Sequence, residues 1–589
     1  MRKIVLFIVL VAVISACNDF LDVAPQGKLT EANKGSDWID GLCTAAYSAL
    51  GGPEDVEHAF YAPTTNWVYG DVRAETAYKG GGGVGDLWEF HAFETFEGVY
   101  SSNPLLDRKW WHLCISVQRC NNALRMINEV SEEDYPLKSV REGEMRFLRA
   151  HFFFEMSRLF NRIPYYDEKL PLEEYNTVSN VEFTRDEILE KLSSEFVAAA
   201  QLLPPTQSEL GRVNKYAAYA YAAKANLYRA YKQDPATNQV MGAPDADLLK
   251  KVVEYCDSTA VGGYGLLKDF QQLSAVEYEH GAESVFGTEY SIDDGTDFGR
   301  INWSNLLNGP RGPAYGGDGF FQPSQTLVNS YKTDIATGLP LFDTYNASQD
   351  IKTAANGFTS SSRQYAVDPR LDFTVGRPGI RWKNFTESAY SGNWVRDNAT
   401  YGATACKKNI VSPESPYMIK GWPWGGSALN FQNIRYADVL LWKAEALIEL
   451  GRHTEALPLI NQVRERAKNS QYVLKWDNTS NTDYAASYFI GLYEDGINCT
   501  WTPDFARQAL RFERKLELAL EGERFFDLVR WGIASQVLND EYFPKEKSDR
   551  AYYRSSSFKA GRDEYFPIPQ NQIDFSGRLY EQNSGYNEN

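Results

Sequence analysis

Between positions 433 and 467, small residues and bulky apolar ones recur at three- and four-residue steps. Ala444, Leu447, Ala456 and Ile460 carry the pattern, and Gly451 sits where a first helix must stop and a second begin. A small residue at a crossing lets one helix backbone approach another, so this spacing specifies two helices packed closely against each other. A unit of about 34 residues built this way hides its apolar faces only against further units.

Other segments share that texture. Helical periods cover 36–50, 107–130, 140–160, 186–202, 214–231, 246–259, 433–450, 454–467, 505–521 and 523–531. Ile188, Leu192, Phe196, Ala199 and Leu203 follow the period until Pro204-Pro205 ends it. Ala217, Tyr221, Ala225 and Tyr228 repeat it in an alanine-rich setting. The expected fold is mostly α, made of tetratricopeptide-like helical pairs, with a generic helical bundle as the alternative.

Two stretches break the pattern. One is 61–102, which contains K-G-G-G-G-V-G-D at 79–86; it lacks the GxxxxGK[ST] signature and predicts a tightly turned surface loop rather than a phosphate cradle. The other is 264–429, rich in Gly, Pro, Asn, Ser and aromatics. So long an irregular stretch inside a domain is usually functional. The chain therefore divides into helical 36–263, a loop-rich insert over 264–429 that carries the binding face, and helical 430–589, as one composite domain.

The first residues have a separate role. Arg2 and Lys3 precede an unbroken apolar run from Ile4 to Ile14, and Ile14-Ser15-Ala16-Cys17 matches the bacterial lipoprotein box. Residues 1–16 are thus expected to be a signal peptide, Cys17 the lipidated residue, and 17–35 a polar tether. Several acyl chains on one cysteine make a stable membrane anchor. The formal charge of -18 disfavours nucleic acid as a partner, because such affinity comes from Lys and Arg neutralising phosphates. The six other cysteines form no CxxC pair and are expected mainly as buried free thiols.

Five blocks, taken in order, resemble the SusD/RagB family of Bacteroidetes outer-membrane lipoproteins. They are C-N-D-F-L-D-V-A-P-Q-G at 17–27, E-M-R-F-L-R-A-H-F-F-F-E-M-S-R-L-F-N-R-I-P at 144–164, and N-I-R-Y-A-D-V-L-L-W-K-A-E-A-L-I-E-L-G at 433–451. R-F-E-R-K-L-E-L-A-L-E-G-E-R-F-F-D-L-V-R-W-G at 511–532 and F-P-I-P-Q-N-Q-I at 566–573, with Q-N-S-G-Y at 582–586, complete the set. The resemblance implies a SusD-like fold with four tetratricopeptide-like units. It also implies a surface-exposed lipoprotein of the outer membrane that captures oligosaccharide or polysaccharide and passes it to a SusC-like TonB-dependent transporter, without being an enzyme. A peptide-binding lid of the RagB kind and a surface glycoside hydrolase are the alternatives.

Aromatics make up 14 % of the chain, more than a core requires. Sugar rings present an apolar C–H face to a flat ring and a polar rim to nearby Asp, Asn or Arg. Two regions combine these groups. In the first, Trp67 and Trp88 are platforms beside Asp71, Arg73 and Asp86. In the insert, Asn302, Trp303, Tyr315, Phe320, Arg381, Trp382, Asn393 and Trp394 are candidates, with Trp422 and Trp424 as a third option. The charged run from Arg511 to Arg530 reads as an ion-pair lattice, with Arg514/Glu517, Arg524/Asp527 and Asp527/Arg530 three residues apart. His151, among phenylalanines, reads as a core histidine. No cofactor is expected, although Asp293, Asp294 and Asp297 could together hold a calcium ion.

Overall fold

In the computed structural model, the periodic segments are helices that pack in the order in which the chain makes them. The structure describes residues 36–52, 59–312, 315–352, 363–385, 387–419, 421–476 and 483–586. The expected signal peptide, Cys17 and the tether lie outside the described residues.

The main helices are α1 (Ser36–Ser48), α2 (Trp88–Thr95), α3 (Pro104–Glu129), α4 (Lys138–Phe160), α5 (Arg185–Leu202), α6 (Lys215–Ala230), α7 (Ala246–Ala260), α8 (Tyr436–Glu449), α9 (His453–Asn469), α10 (Pro503–Glu517) and α11 (Arg524–Arg530). From α3 to α10 each helix packs on the next. This gives four successive pairs, the number that the family resemblance implies, where the spacing by itself predicts several. The loop-rich insert lies between α7 and α8, which nevertheless pack on each other, so the helical stack continues across it.

Local chemistry starts these helices where the sequence suggests. Asn103 caps α3 with Pro104 at its first position, Thr184 and Glu187 form a reciprocal capping box on α5, and Asn214 and Asp245 cap α6 and α7. Two boundaries differ. The helix expected from 433 begins only at Tyr436, because Phe431–Arg435 is a strand paired antiparallel with Ser284–Thr288. The helix expected to run to 521 stops at Glu517, because Leu520 and Gly522 adopt positive φ of 63° and 82°.

The core is alanine-rich where helices sit closest. Ala218, Ala220, Ala222, Ala223 and Ala225 of α6 are all fully buried. Tyr221 lies among them, its hydroxyl 2.8 Å from His151 Nδ1. Burial pushes His151 down to about 4, the behaviour of a neutral core histidine. Cys43, Cys120, Cys256 and Cys406 are buried thiols, and Cys114 and Cys499 are half-buried and also free.

A polar network threads this apolar scaffold. Lys408, Arg370, Arg435, Arg464 and Arg466 face Asp368, Glu283, Glu513, Glu517 and Glu521 in one connected set. The five cations and five carboxylates balance. The lattice expected from the sequence is therefore present, but most of its pairing is between distant segments. Glu517 meets Arg370, Arg435 and Arg466 rather than Arg514, and Arg514 meets Asp527 at 2.7 Å. Arg524 meets Glu75 at 2.7 Å, and of the three expected pairs Asp527/Arg530 forms.

The insert joins the scaffold by short two-stranded ladders. Ala77–Gly80 pairs with Phe320–Pro323, Val375–Gly376 with Ala405–Cys406, and Ala366–Val367 runs parallel to Ser487–Tyr488. Among the described residues, no helix is long and apolar enough to cross a membrane.

Candidate functional site

Most of the aromatic platforms expected from the sequence turn out to be core. Residues Trp67–Val72 form a wide helical turn that is buried throughout. Its tightest point is Gly70 against Gly522, where a Cβ on Gly70 would lie 1.8 Å from the Gly522 carbonyl oxygen. Trp67 packs edge-on to Phe90, and its indole N–H donates to the Ser304 carbonyl at 3.1 Å. Asp71 accepts from the Gly522 N–H at 2.6 Å and from Thr76 at 2.8 Å, and burial pushes its carboxyl up to about 7. Arg73 lies over Phe566 and Phe525, donates to the Asp563 carbonyl, and is lowered to about 10 by burial. These three side chains fix the scaffold and offer no open face to a ligand.

The insert candidates behave the same way. Trp382, Trp394, Tyr390, Phe385 and Tyr315 form an aromatic knot in which Trp382 stacks on Tyr390 with centroids 5.2 Å apart. The Trp382 N–H donates to the Tyr315 hydroxyl at 2.8 Å, which in turn donates to the Val411 carbonyl at 2.7 Å. Trp394 closes over Gly312. Trp303 is buried with Ile301 and Leu306, Asn302 caps the turn that Trp303 begins, and Phe320 is buried beside Trp67. Trp303, Tyr315, Trp382 and Trp394 are therefore corrected from platforms to core plugs. The physical reason is that each ring already has aromatic or aliphatic partners. Arg381 is half-buried and Asn393 is exposed, but neither stands beside an open indole of its own neighbour.

Three of the candidate indoles do face solvent. Trp88, Trp422 and Trp424 are 51 %, 53 % and 49 % exposed. Trp88 follows the glycine loop, which Lys79 pins from below by donating to the Gly83 and Asp86 carbonyls. Gly81 adopts φ of 81°, and its Cα lies so close to the Phe320 ring that a Cβ would overlap it. Asp86, two residues before Trp88, accepts from the Gly82 N–H and from Arg396, each at 2.8 Å. Arg396 also lies 3.6 Å from Asp318. Two residues before Asp318, Gly316 faces the Trp424 ring, which a Cβ built on it would meet at 3.4 Å. Arg396 thus links the loop that carries Trp88 to the segment holding Asp318, two residues from the glycine that faces Trp424. Arg396 and Asp318 were not singled out in the sequence; their only signal there was a position beside Trp394 and a glycine run.

A cavity of about 350 Å³ opens against the same aromatic knot, of which Val411 and Val276 form part. Phe270, Phe373, Lys383, Lys407, Glu277 and Glu414 line it, and none of them stood out in the sequence. Burial and the neighbouring Lys407 push Lys383 down to about 7. The cavity joins ring faces to hydrogen-bonding groups, the composition of a small-molecule site.

The calcium expectation has little geometric support. Asp294 accepts from the Thr296 N–H at 3.0 Å and from the hydroxyls of Ser291 and Thr296, and the carboxylates of Asp293, Asp294 and Asp297 do not converge.

The sequence model of the SusD family matches residues 282–586, and a second, described as starch-binding associating with outer membrane, matches residues 89–227. SusD-like protein P2 of Formosa agariphila is 23 % identical over 496 residues, covering 82 % of this chain and 81 % of its own. Among solved structures, a laminarin-binding SusD-like protein aligns with a TM-score of 0.64 at 20 % identity, over 94 % of this chain and 100 % of that one. Surface glycan-binding protein A from Bacteroides thetaiotaomicron, in complex with laminarihexaose, aligns with a TM-score of 0.60 at 19 % identity, over 93 % and 99 %. At those identities the likeness to solved structures speaks for the fold. With one family's sequence model accounting for more than half of the residues and a mostly helical fold shared along nearly whole chains, this protein belongs to the SusD family.

Proposed function

We propose that the protein is a non-catalytic glycan-binding lipoprotein of the outer membrane. It holds oligosaccharide or polysaccharide on the face that carries Trp88, Trp422 and Trp424, and passes it to a SusC-like TonB-dependent transporter. The observation that carries this reading is the contrast among tryptophans. Trp67, Trp303, Trp382 and Trp394 are sealed in the core, whereas these three keep about half their surface open, and Trp88 stands two residues from Asp86, which meets Arg396 and through it Asp318. An exposed indole costs solvation unless something covers it, and a saccharide's C–H face suits it while carboxylate and guanidinium groups meet the hydroxyls. The laminarin-binding and laminarihexaose-bound proteins of the same fold support the ligand class.

The non-catalytic reading rests on the carboxylates. Glycoside hydrolysis needs a protonated acid and a free carboxylate across one bond. On this face Asp86 and Asp318 both meet Arg396, and the buried acids of α10 are held by arginines. The lipoprotein box at 14–17 and the resemblance to outer-membrane lipoproteins support an anchor on Cys17 and an outward placement.

Affinity electrophoresis over neutral and acidic polysaccharides, with a reducing-end assay on the same mixtures, tests the proposal. It expects retardation by at least one polysaccharide and no release of reducing ends. Peptide in the co-purified material with no polysaccharide retardation would favour the RagB-like alternative, and turnover would overturn the non-enzyme reading.

A further inference from the structure

Two glutamates and a histidine converge where the insert meets the helical scaffold. Glu279 and His280 follow the short turn Val276–Tyr278, and Glu289 follows the strand Ser284–Thr288. His280 Nε2 lies 3.3 Å from a Glu289 oxygen and 3.8 Å from a Glu279 oxygen, and the three atoms are all within 4.8 Å of one another. A tetrahedral zinc ion with N and O donors at ~2.1 Å sets its ligand atoms about 3.4 Å apart. Two edges of such a tetrahedron are therefore close to formed.

Asn430, just past the far end of the insert, holds the two carboxylates in place. Its backbone N–H donates to Glu279 at 3.1 Å and its side-chain amide donates to Glu289 at 2.7 Å. Its side-chain oxygen is itself fixed by the Tyr290 N–H at 2.8 Å, and Gln432 donates to the Glu279 carbonyl at 3.0 Å. Partners of this kind orient metal-ligating carboxylates.

The charge around these groups is incomplete. In the network beside α10, every carboxylate meets a lysine or arginine. Among the described residues, Glu279 and Glu289 form an ion pair with neither; His280 is the only group of opposite potential charge that they meet. A divalent cation would balance both carboxylates. An imidazole with two carboxylates suits zinc-class transition ions, whereas calcium takes six to eight oxygens. The His280 and Glu289 side chains are 34 % and 39 % exposed, so an ion can enter and water can complete its coordination.

We infer that Glu279, His280 and Glu289 form a binding site for a zinc-class divalent cation, which ties the two ends of the insert together through Asn430.

The test is calorimetric titration of Zn²⁺ into the full chain, first stripped of metal with a chelator, beside the variants His280→Ala and Glu289→Gln. Both changes lie at partly exposed side chains, and melting temperatures without metal identify any variant that misfolds. The expected result is one Zn²⁺ per chain at micromolar or tighter affinity, weakened at least tenfold in each folded variant, with Zn²⁺ raising the melting temperature of the parent alone. Parent affinity within threefold of either folded variant would overturn the assignment.

Discussion

Glu517 sits at the centre of the balanced ion network, and replacing it with glutamine tests whether that network holds the scaffold together. The carboxylate is fully buried. One oxygen accepts from Arg435 at 2.6 Å and from Arg466, and the other from Arg370 at 3.0 Å. Burial alone would raise its pKa, but Arg466, Arg435 and Arg370 outweigh that and hold it far below the ordinary carboxylate range. Glu517→Gln keeps the side chain's size, turns an N–H₂ toward a guanidinium, and leaves five cations facing four carboxylates. Removing one partner from a buried ion pair costs about 3–5 kcal/mol, because the remaining charge stays desolvated. Unfolding entropy of about 2.1 cal/mol/K per residue gives roughly 1.2 kcal/mol/K for a chain of 589 residues. The melting temperature should therefore fall by about 2–4 °C, measured by scanning calorimetry. Arg452→Gln is the control: it breaks the exposed Arg452–Glu455 pair, which water screens, and should leave the melting temperature essentially unchanged. Combining Glu517→Gln with Arg466→Met restores the charge balance and should recover part of the loss, a coupling that independent sites would not show. A Glu517→Gln protein that melts with the Arg452→Gln control refutes the argument.

Three further outcomes follow from the same contacts. Burial would raise Glu75, but Arg524 and Lys515 overcome it and hold the carboxyl down to about 2 from an ordinary 4.5. Its folded pKa is the lower one, so it contributes ~3 kcal/mol above pH 4.5, lost as pH falls toward 2; urea titrations should show the stability loss between pH 7 and pH 3 to be about 2 kcal/mol smaller in Glu75→Gln than in the parent. Gly70→Ala would drive a methyl into the Gly522 carbonyl, and urea unfolding should register a loss of at least 1–3 kcal/mol, whereas an unchanged midpoint would show that the turn yields freely. Burial pushes the Cys43 thiol up to about 12 and closes off Cys120, Cys256 and Cys406, so a thiol reagent at pH 8 should count at most two fast thiols in the native protein and six from Cys43 onward in guanidinium.

The helices were legible because their signals are local. The three- and four-residue steps of α6 and α8, and caps such as Asn214 and Thr184, lie within a few residues of what they control. What escaped depended on distant partners. Trp67 reads as a loop indole until Phe90, Phe321 and the Ser304 carbonyl close around it. Trp382 and Trp394 look available until Tyr315 and Tyr390 fold onto them. The same holds for charge. Arg514 and Glu517 are correctly spaced to pair on one helix, but Asp527 takes the first and Arg370, Arg435 and Arg466 the second. The strand Phe431–Arg435 hides within a helical pattern because its partner, Ser284–Thr288, lies at the other end of the insert. The exposed indoles could be proposed from composition, but only the fold separates Trp88, Trp422 and Trp424 from those that serve the core.

The central claim concerns those open rings, and binding by the double variant Trp88→Ala/Trp424→Ala tests it most directly. Covering about half of each open indole face with sugar removes on the order of 100 Å² of apolar surface per ring, counting both partners. That is worth at most ~2–3 kcal/mol before the costs of association. Calorimetric titration with the oligosaccharide of whichever polysaccharide retards the parent should show affinity at least tenfold weaker in the double variant, at an unchanged melting temperature. Equal affinity in parent and double variant would contradict the account.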